Sequence, residues 1–367
     1  MYTENDLVAV AKRENNTKRK YLVVNKLQGK HIPVSGNTAF AVFDELAEKL
    51  KSAYKDENLL IVGFAETATA IGARLAVDLQ CNYMQTTREQ IDNVEYLFFT
   101  ESHSHATEQK LIKTDLDKII DSTSRIVFAE DEVTTGNTIM KIIDIIAALY
   151  GDKVKFGVAS LLNGMDREHL AIYENRCIDV HYLVKTNHDT YTEIADSFKG
   201  DGEYFEKDAT PAKYSVTPIS GALNARRLVN GKDYSAACEH LFNEINSKSK
   251  SANCKNLLVL GTEEFMYPAL YVASRFENSG INVRCHSTTR SPIVTSTEKN
   301  YPLQKRFELS SLYDDERTTF IYNLKKYDNV IIITDSANTS RVGLNSLVNA
   351  LHKECSNSIE IYRWCSK

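Results

Sequence analysis

One pattern is written twice in this chain. "NLLIVGFAETATAIGARLA" at 58–76 and "NLLVLGTEEFMYPALYVAS" at 256–274 share Asn, Leu, Leu and Gly at a constant offset of 198. Each is an apolar run of strand length, a Gly, then apolar residues at helical spacing. Further on, Thr86, Thr87 and Arg88 stand against Thr288, Thr289 and Arg290 at an offset of 202, and Asp131 stands against Asp335 at 204. Three landmarks in the same order, with six extra residues in all, predict that both halves are built on one ancestral fold. The copies part company at the third landmark. "EDEVTTGNT" (130–138) becomes "TDSANTSRV" (334–342), which has lost one acid and the Thr-Gly turn.

Around these landmarks strands and helices alternate. "NTAFAVFDELAEKLKSAY" (37–54) reads as a helix, "NLLIVGFA" as a buried strand and "TATAIGARLAVDL" as a helix. "CNYMQTT", "EYLFFT" and "RIVFA" read as strands, "NTIMKIIDIIAALYG" as a helix, and "KVKFGVASLL" and "IDVHYLV" as further strands. Such alternation predicts an α/β fold with a mostly parallel sheet covered on both faces, and ligands beyond the carboxyl ends of its strands. From about 186 to 220 the chain turns polar, with Gly200, Gly202, Pro211 and Pro218. That stretch reads as a connection, giving a first domain over 1–200, a linker over 201–220 and a second, degenerate α/β copy over 221–367.

Composition narrows the function classes. At 367 residues, 43% hydrophobic and 25% charged, the chain has the make-up of a soluble protein large enough for two cores. A net charge of -5 gives no general basic footprint, so nucleic acid is not an expected partner. Neither a signal-peptide core nor an eighteen-residue apolar run is present, so no membrane association is expected and the cytoplasm is the expected location. The seven cysteines are scattered with no C-x-x-C pair, which argues against a disulfide framework and a structural zinc site.

The chemistry is concentrated in "RIVFAEDEVTTGNTIMKIIDIIAAL" (125–149). A strand ending in Glu130 and Asp131 brings two carboxylates to the sheet's carboxyl edge, where they can accept hydrogen bonds from vicinal sugar hydroxyls. Thr134, Thr135, Gly136, Asn137 and Thr138 then open a helix, offering amides and hydroxyls at the positive end of its dipole. Gly136 permits a close approach that a side chain would block. A diol clamp beside a monophosphate cradle describes a ribose 5-phosphate site.

"IVFAEDEVTTGNT" resembles the phosphoribosyl pyrophosphate (PRPP) signature of type I phosphoribosyltransferases. Taken with "NKLQGKHIPVS", "GFAETATAIG", "TTRE" and "ESHSHATEQ", it looks like the orotate phosphoribosyltransferase-like family of bacterial tellurite-resistance-associated gene clusters. The companion domain of that family is named for a Thr-Arg-Ser-Pro (TRSP) motif, and "TTRSPIV" at 288–294, with "GTEEFMYPAL" from 261, resembles it. The resemblance covers most of the chain. It implies a type I phosphoribosyltransferase fold, PRPP as substrate, Mg2+, a homodimer and a step in making a nucleoside-like compound.

It also implies roles for particular residues. Ala65, Glu66, Thr67 and Ala68 match the pyrophosphate loop; Glu66 there must be bridged by a cation or else serve as a first-turn acid. Mg2+ would be held directly or indirectly by Glu130 and Asp131. "FFTESHSHATEQK" stands where such enzymes carry a lid, so His103 and His105 are candidates to donate to departing pyrophosphate and Lys110 to add charge, with a solvated polar loop or a metal-binding histidine pair as the alternatives. Arg88 and Arg290, like Lys30 and His31, are candidate anion contacts or ordinary surface residues. In the second copy Glu263, Glu264, Thr289, Arg290 and Ser291 are candidates for handling the acceptor or for a separate reaction. Asn338–Arg341, with Ser340 where Gly136 stands in the first copy, should bind 5-phosphate poorly. "VASLLNGMD" is expected to border the acceptor pocket. The rival reading is a PRPP or nucleotide sensor without turnover.

Overall fold

A computed structural model describes residues 1–99, 109–356 and 358–366 apart from 15, 17 and 18, with backbone only at 252 and 253. The chain begins with α1 (Glu4–Leu7), β1 (Val8–Lys12), β2 (Tyr21–Asn25), α2 (Gly36–Ala53), β3 (Leu59–Gly63), α3 (Thr69–Leu79) and β4 (Asn82–Gln85). It continues with β5 (Tyr96–Phe99), β6 (Gln109–Ile112), α4 (Lys113–Ile119), β7 (Arg125–Val133), α5 (Asn137–Tyr150), β8 (Lys155–Asn163), α6 (Arg167–Asn175), β9 (Asp179–Lys185) and α7 (Tyr191–Ser197). Next come β10 (Glu203–Phe205), β11 (Val216–Ser220), β12 (Val229–Asn230), α8 (Gly231–Lys248), β13 (Asn256–Gly261), α9 (Tyr267–Asn278) and β14 (Asn282–Ser287). The last elements are β15 (Lys305–Ser310), β16 (Thr318–Tyr322), β17 (Asn329–Thr334), α10 (Val342–Glu354) and β18 (Ile359–Cys365).

Two compact units result. The first comprises Met1–Tyr2, Phe40–Thr186 and Leu223–Ala237; its sheet runs β12-β4-β3-β7-β8-β9, parallel except for β12. All five residues of β3 are buried, as a central parallel strand requires. Helix α3 lies close against β3 because two glycines face each other: a Cβ on Gly72 would stand 2.8 Å from the Gly63 Cα. Helix α5 buries Ile139, Ile142, Ile143 and Ile146, one stripe at helical spacing. The antiparallel hairpin β5/β6 is tied in through reciprocal amide–carbonyl bonds between Thr87 and Lys110 at 2.8 and 3.0 Å.

The second unit comprises Thr3–Ala39, Asn187–Ala222 and Cys238–Lys367, and its sheet runs β11-β18-β17-β13-β14, all parallel. Here the structure departs from the sequence expectation twice. The 201–220 stretch contributes two strands: β10 joins β15 and β16, and β11 forms a sheet edge, where Pro218 is tolerated. The hairpin β1/β2 also packs in this unit. Its Ala11 and Val24 need apolar cover and share a core with Ile293, Tyr301, Leu303, Phe320 and Tyr322.

The repeat is visible as topology. Strands β4-β3-β7-β8 and β14-β13-β17-β18 share one order and direction. Val62 pairs with Phe128 in the first sheet and Leu260 with Ile332 in the second, so Asp131 and Asp335 hold the same position, three residues further along. The Thr-Thr segments bond alike: Ala65 N donates to Thr86 Oγ1 at 2.8 Å, and Glu263 N to Thr288 Oγ1 at 3.0 Å. Thr289 and Phe320 repeat the reciprocal backbone pair of Thr87 and Lys110. The fifth strand differs in origin: β9 follows β8, whereas β11 precedes β13. Among the described residues no helix is long and apolar enough to cross a membrane, and all seven cysteines are free thiols.

Candidate active site

Strand β7 has five buried residues, then three half-buried acids, then buried Val133. Glu130, Asp131 and Glu132 keep some exposed surface, yet the carboxyls of Glu130 and Asp131 are closely surrounded by protein. Burial, and then the charge of Asp131, push the Glu130 carboxyl well above the usual range. Burial likewise raises Asp131 to about 6, against the Thr67 hydroxyl that donates to its Oδ1 at 2.7 Å. Among the described residues, burial and the neighbouring acids together outweigh what favours negative charge on Glu130 and Asp131.

The turn after β7 is fixed by Gly136, whose φ of +74° is left-handed. A Cβ there would stand 2.5 Å from the Tyr173 hydroxyl, which donates to the Gly136 carbonyl at 2.6 Å. Helix α5 starts at the next residue, so its first-turn amides face the same end as the acids, with Asn137 N donating to the Thr135 hydroxyl at 3.4 Å. A depression of about 70 Å³ is lined by Glu130, Glu132 and the 133–139 turn, including Thr134, Thr135, Gly136, Asn137 and Thr138.

Across the sheet edge, Ala65–Ala68 link β3 to α3, with a cis peptide between Ala65 and Glu66. Ala65, Glu66 and Ala68 are buried and Thr67 is half-buried. The loop is clamped: the Thr86 hydroxyl accepts from Ala65 N and donates to Gln109 Oε1 at 2.8 Å, while Gln109 Nε2 donates to the Ala65 carbonyl at 2.9 Å. Sequence reading missed Gln109, because nothing in its type or spacing marks it. Arg88 is half-buried beside this loop's Thr-Thr clamp in sequence. Lys110 donates to Gln90 at 3.1 Å, with its ammonium 5.1 Å from the Tyr96 ring. His103 and His105 lie outside the described residues.

The acids suit a hard cation. Among the described residues no group of three or more His, Cys, Asp and Glu forms a metal cage. Mg2+ needs none, since it binds through one or two carboxylates and takes its other oxygens from phosphate and water. Glu130 and Asp131 supply that donor set, and a cation would relieve the repulsion that raises their proton affinity.

The second copy uses the same positions differently. Glu263 and Glu264 are buried, and Glu263 accepts from Arg290 Nε at 2.7 Å, Arg317 Nη1 at 3.0 Å and the Ser311 hydroxyl at 2.5 Å. Arg290 Nη2 also reaches Glu264 at 3.3 Å. Buried Lys30 donates to the Glu263 and Thr288 carbonyls at 2.6 and 3.0 Å. Thr289 is buried, and Ser291 accepts from the Tyr322 hydroxyl at 2.7 Å. Asp335 accepts from the Tyr313 hydroxyl at 2.7 Å. Arg341 donates to the Tyr214 hydroxyl at 3.1 Å and covers that ring.

Residues 7–187 match the family model described as phosphoribosyl transferase, and residues 228–351 match the TRSP domain described as C-terminal to it. Residues 7–187 are a phosphoribosyltransferase domain. Solved structures similar to the chain include adenine phosphoribosyltransferase from Rhodothermus marinus, at 14% identity and a TM-score of 0.36, covering 50% of this chain and 96% of that one. The enzyme from Giardia lamblia, complexed with 9-deazaadenine, stands at 12% identity and 0.36, covering 50% and 96%. That from Trypanosoma brucei, complexed with AMP, pyrophosphate and ribose-5-phosphate, stands at 14% and 0.35, covering 49% and 76%. Likeness this remote carries no argument about the acceptor. No curated protein sequence matches the chain.

Proposed function

We propose that the first unit transfers the phosphoribosyl group of PRPP to an acceptor nucleophile. Glu130 and Asp131 hold the ribose hydroxyls, residues 134–138 hold the 5-phosphate, and the Ala65–Ala68 loop faces pyrophosphate. The acceptor forms a bond to C1 as the C1–oxygen bond to pyrophosphate breaks, and the acceptor's proton leaves to solvent. Bound Mg2+ would neutralise the pyrophosphate charge. Thr67 joins the loop to Asp131, so the groups holding the two ends of the donor are set relative to each other before it binds.

The observation that carries this reading is the buried acid pair Glu130/Asp131 beside the Gly136 turn and the N-terminus of α5, a pair and a glycine that the second copy lacks. The sequence resemblance supports the finer assignment: an orotate phosphoribosyltransferase-like enzyme, cytoplasmic and homodimeric, making a nucleoside-like metabolite in a tellurite-resistance-associated setting. It also supports reading 1–200 as the transferase domain, 201–220 as linker and 221–367 as its TRSP companion, although strands cross those limits. The test is release of labelled pyrophosphate from PRPP with Mg2+ and a panel of acceptors. Acceptor-dependent release is expected. Tight PRPP binding with no release for any acceptor would instead leave a sensor.

A further inference from the structure

Toward the carboxyl end of β8 stand two buried polar groups that no described residue satisfies. Asn163 is fully buried, and its carboxamide has a fixed orientation: Oδ1 accepts from Met165 N at 3.1 Å and from Lys185 Nζ at 3.0 Å. Turning the amide over would set its NH2 against two donors, so Nδ2 is the end left without a partner among the described residues. Among the described residues Nδ2 has no acceptor; the fully buried Ser160 hydroxyl, three residues earlier and so on the other face of the sheet, has no partner either. A buried donor left unpaired costs about 1–3 kcal/mol, and native proteins rarely carry one without a ligand or water to answer it.

Register places these groups beside the proposed ribose site. Val133, Asn163 and Lys185 stand in line across β7, β8 and β9, as do Glu130, Ser160 and Tyr182. From strand spacing, Asn163 is about 8 Å from Asp131, within the span of a heterocycle attached at C1. Lys185 is exposed and also donates to the Met165 carbonyl, so the edge opens to solvent here.

What this edge can offer a ligand is mostly donors. The Asn163 oxygen is already used, and Nδ2 and the ammonium of Lys185 can only donate. We propose that Asn163 Nδ2, supported by Lys185, reads the acceptor, and that the acceptor is a heterocyclic base presenting a carbonyl oxygen there rather than an amino group. An amino group would set donor against donor. Sites built around one hydrogen bond discriminate strongly against analogues that cannot complete it.

This inference rests on the proposed function, and matched nucleotides separate the two. IMP against AMP and UMP against CMP differ in the exocyclic group under test while sharing the ribose 5-phosphate. Calorimetry should show the oxo member of each pair binding at least ~10-fold tighter, and Asn163→Asp, whose carboxylate accepts, should reverse the order. Folding of the variant is checked by thermal melting, and Asn163→Ser, expected to abolish the preference, serves if the first fails to fold. Equal binding within each pair, an amino preference, or a preference unchanged in the variants would overturn the inference and identify Nδ2 as a water site. Ribose 5-phosphate binding without any nucleotide binding would overturn it too, leaving the transferase reading intact. Failure of the wild-type chain to bind even ribose 5-phosphate would sink both.

Discussion

Both copies gather acids at the same end of the sheet, but only Asp131 and Asp335 stand at matching positions, and the remaining acids are surrounded differently. In the second, Glu263 is met by Arg290, Arg317 and Ser311, and Asp335 by Tyr313. In the first, burial and then the charges of Asp131 and Glu132 raise the proton affinity of Glu130, and burial with the charge of Glu132 raises that of Asp131 against its bond from Thr67. The first arrangement is costly unless something from outside completes it, whereas the second is already complete. By this comparison the TRSP motif holds the second copy together: its Arg290 supplies internally the positive charge that a cation would bring to the first.

The largest expected effect follows from breaking the completed copy. Glu263→Ala removes the acid shared by two largely buried guanidinium groups, leaving Arg290 to Glu264 and Arg317 to Asp314, and should cost about 3 kcal/mol, read by urea denaturation; a loss below about 1 kcal/mol would show that the network is not what holds this copy together. Gly136→Ala comes next. Its Cβ would meet the Tyr173 hydroxyl at 2.5 Å on a left-handed backbone, so ribose 5-phosphate affinity should fall ~10- to 100-fold. The matching change, Ser340→Gly, should create no second phosphate site, and a second binding event by calorimetry would contradict the comparison.

The smallest effect concerns pH. The Asp131 carboxyl sits at about 6 in the folded chain against an ordinary 3.8, so the folded state holds its proton more tightly than the unfolded state does. Its contribution to stability therefore declines as pH rises from about 4 to about 6 and stays unfavourable above that. Asp131→Asn should melt a few degrees higher than wild type at pH 8, and the gap should close toward pH 4. Wild-type affinity for ribose 5-phosphate should weaken as pH drops through about 6, because a protonated carboxyl accepts fewer hydroxyl bonds. A lower melting point for the variant at pH 8 would mean that Asp131 is already stabilised by the chain.

How much of this was legible in the sequence depended on range. The apolar run, acid pair, Thr-Thr-Gly turn and helix stripe of 125–149 are local signals, and each forms where its pattern puts it. The repeat was legible because its landmarks keep their order. Edge strand β11 was not: a five-residue segment containing Pro218 reads as loop until β18 pairs with it. The allegiance of β1/β2 was hidden as well, because alternation shows that a hairpin needs cover without saying which core supplies it. Glu263 looked like a reactive acid because its partners Arg290, Ser311 and Arg317 lie 27 to 54 residues away. Gln109 and Asn163 matter only through what surrounds them, and sequence spacing does not encode that.

The central claim is that only the first copy takes the ribose phosphate of PRPP, through Glu130 and Asp131. Calorimetric titration of the full chain with PRPP and Mg2+ tests it most directly. One site per chain is predicted, lost in the Glu130→Gln, Asp131→Asn double variant while that variant melts no lower than wild type at pH 8. Two sites per chain, or unchanged affinity in a folded double variant, would contradict it.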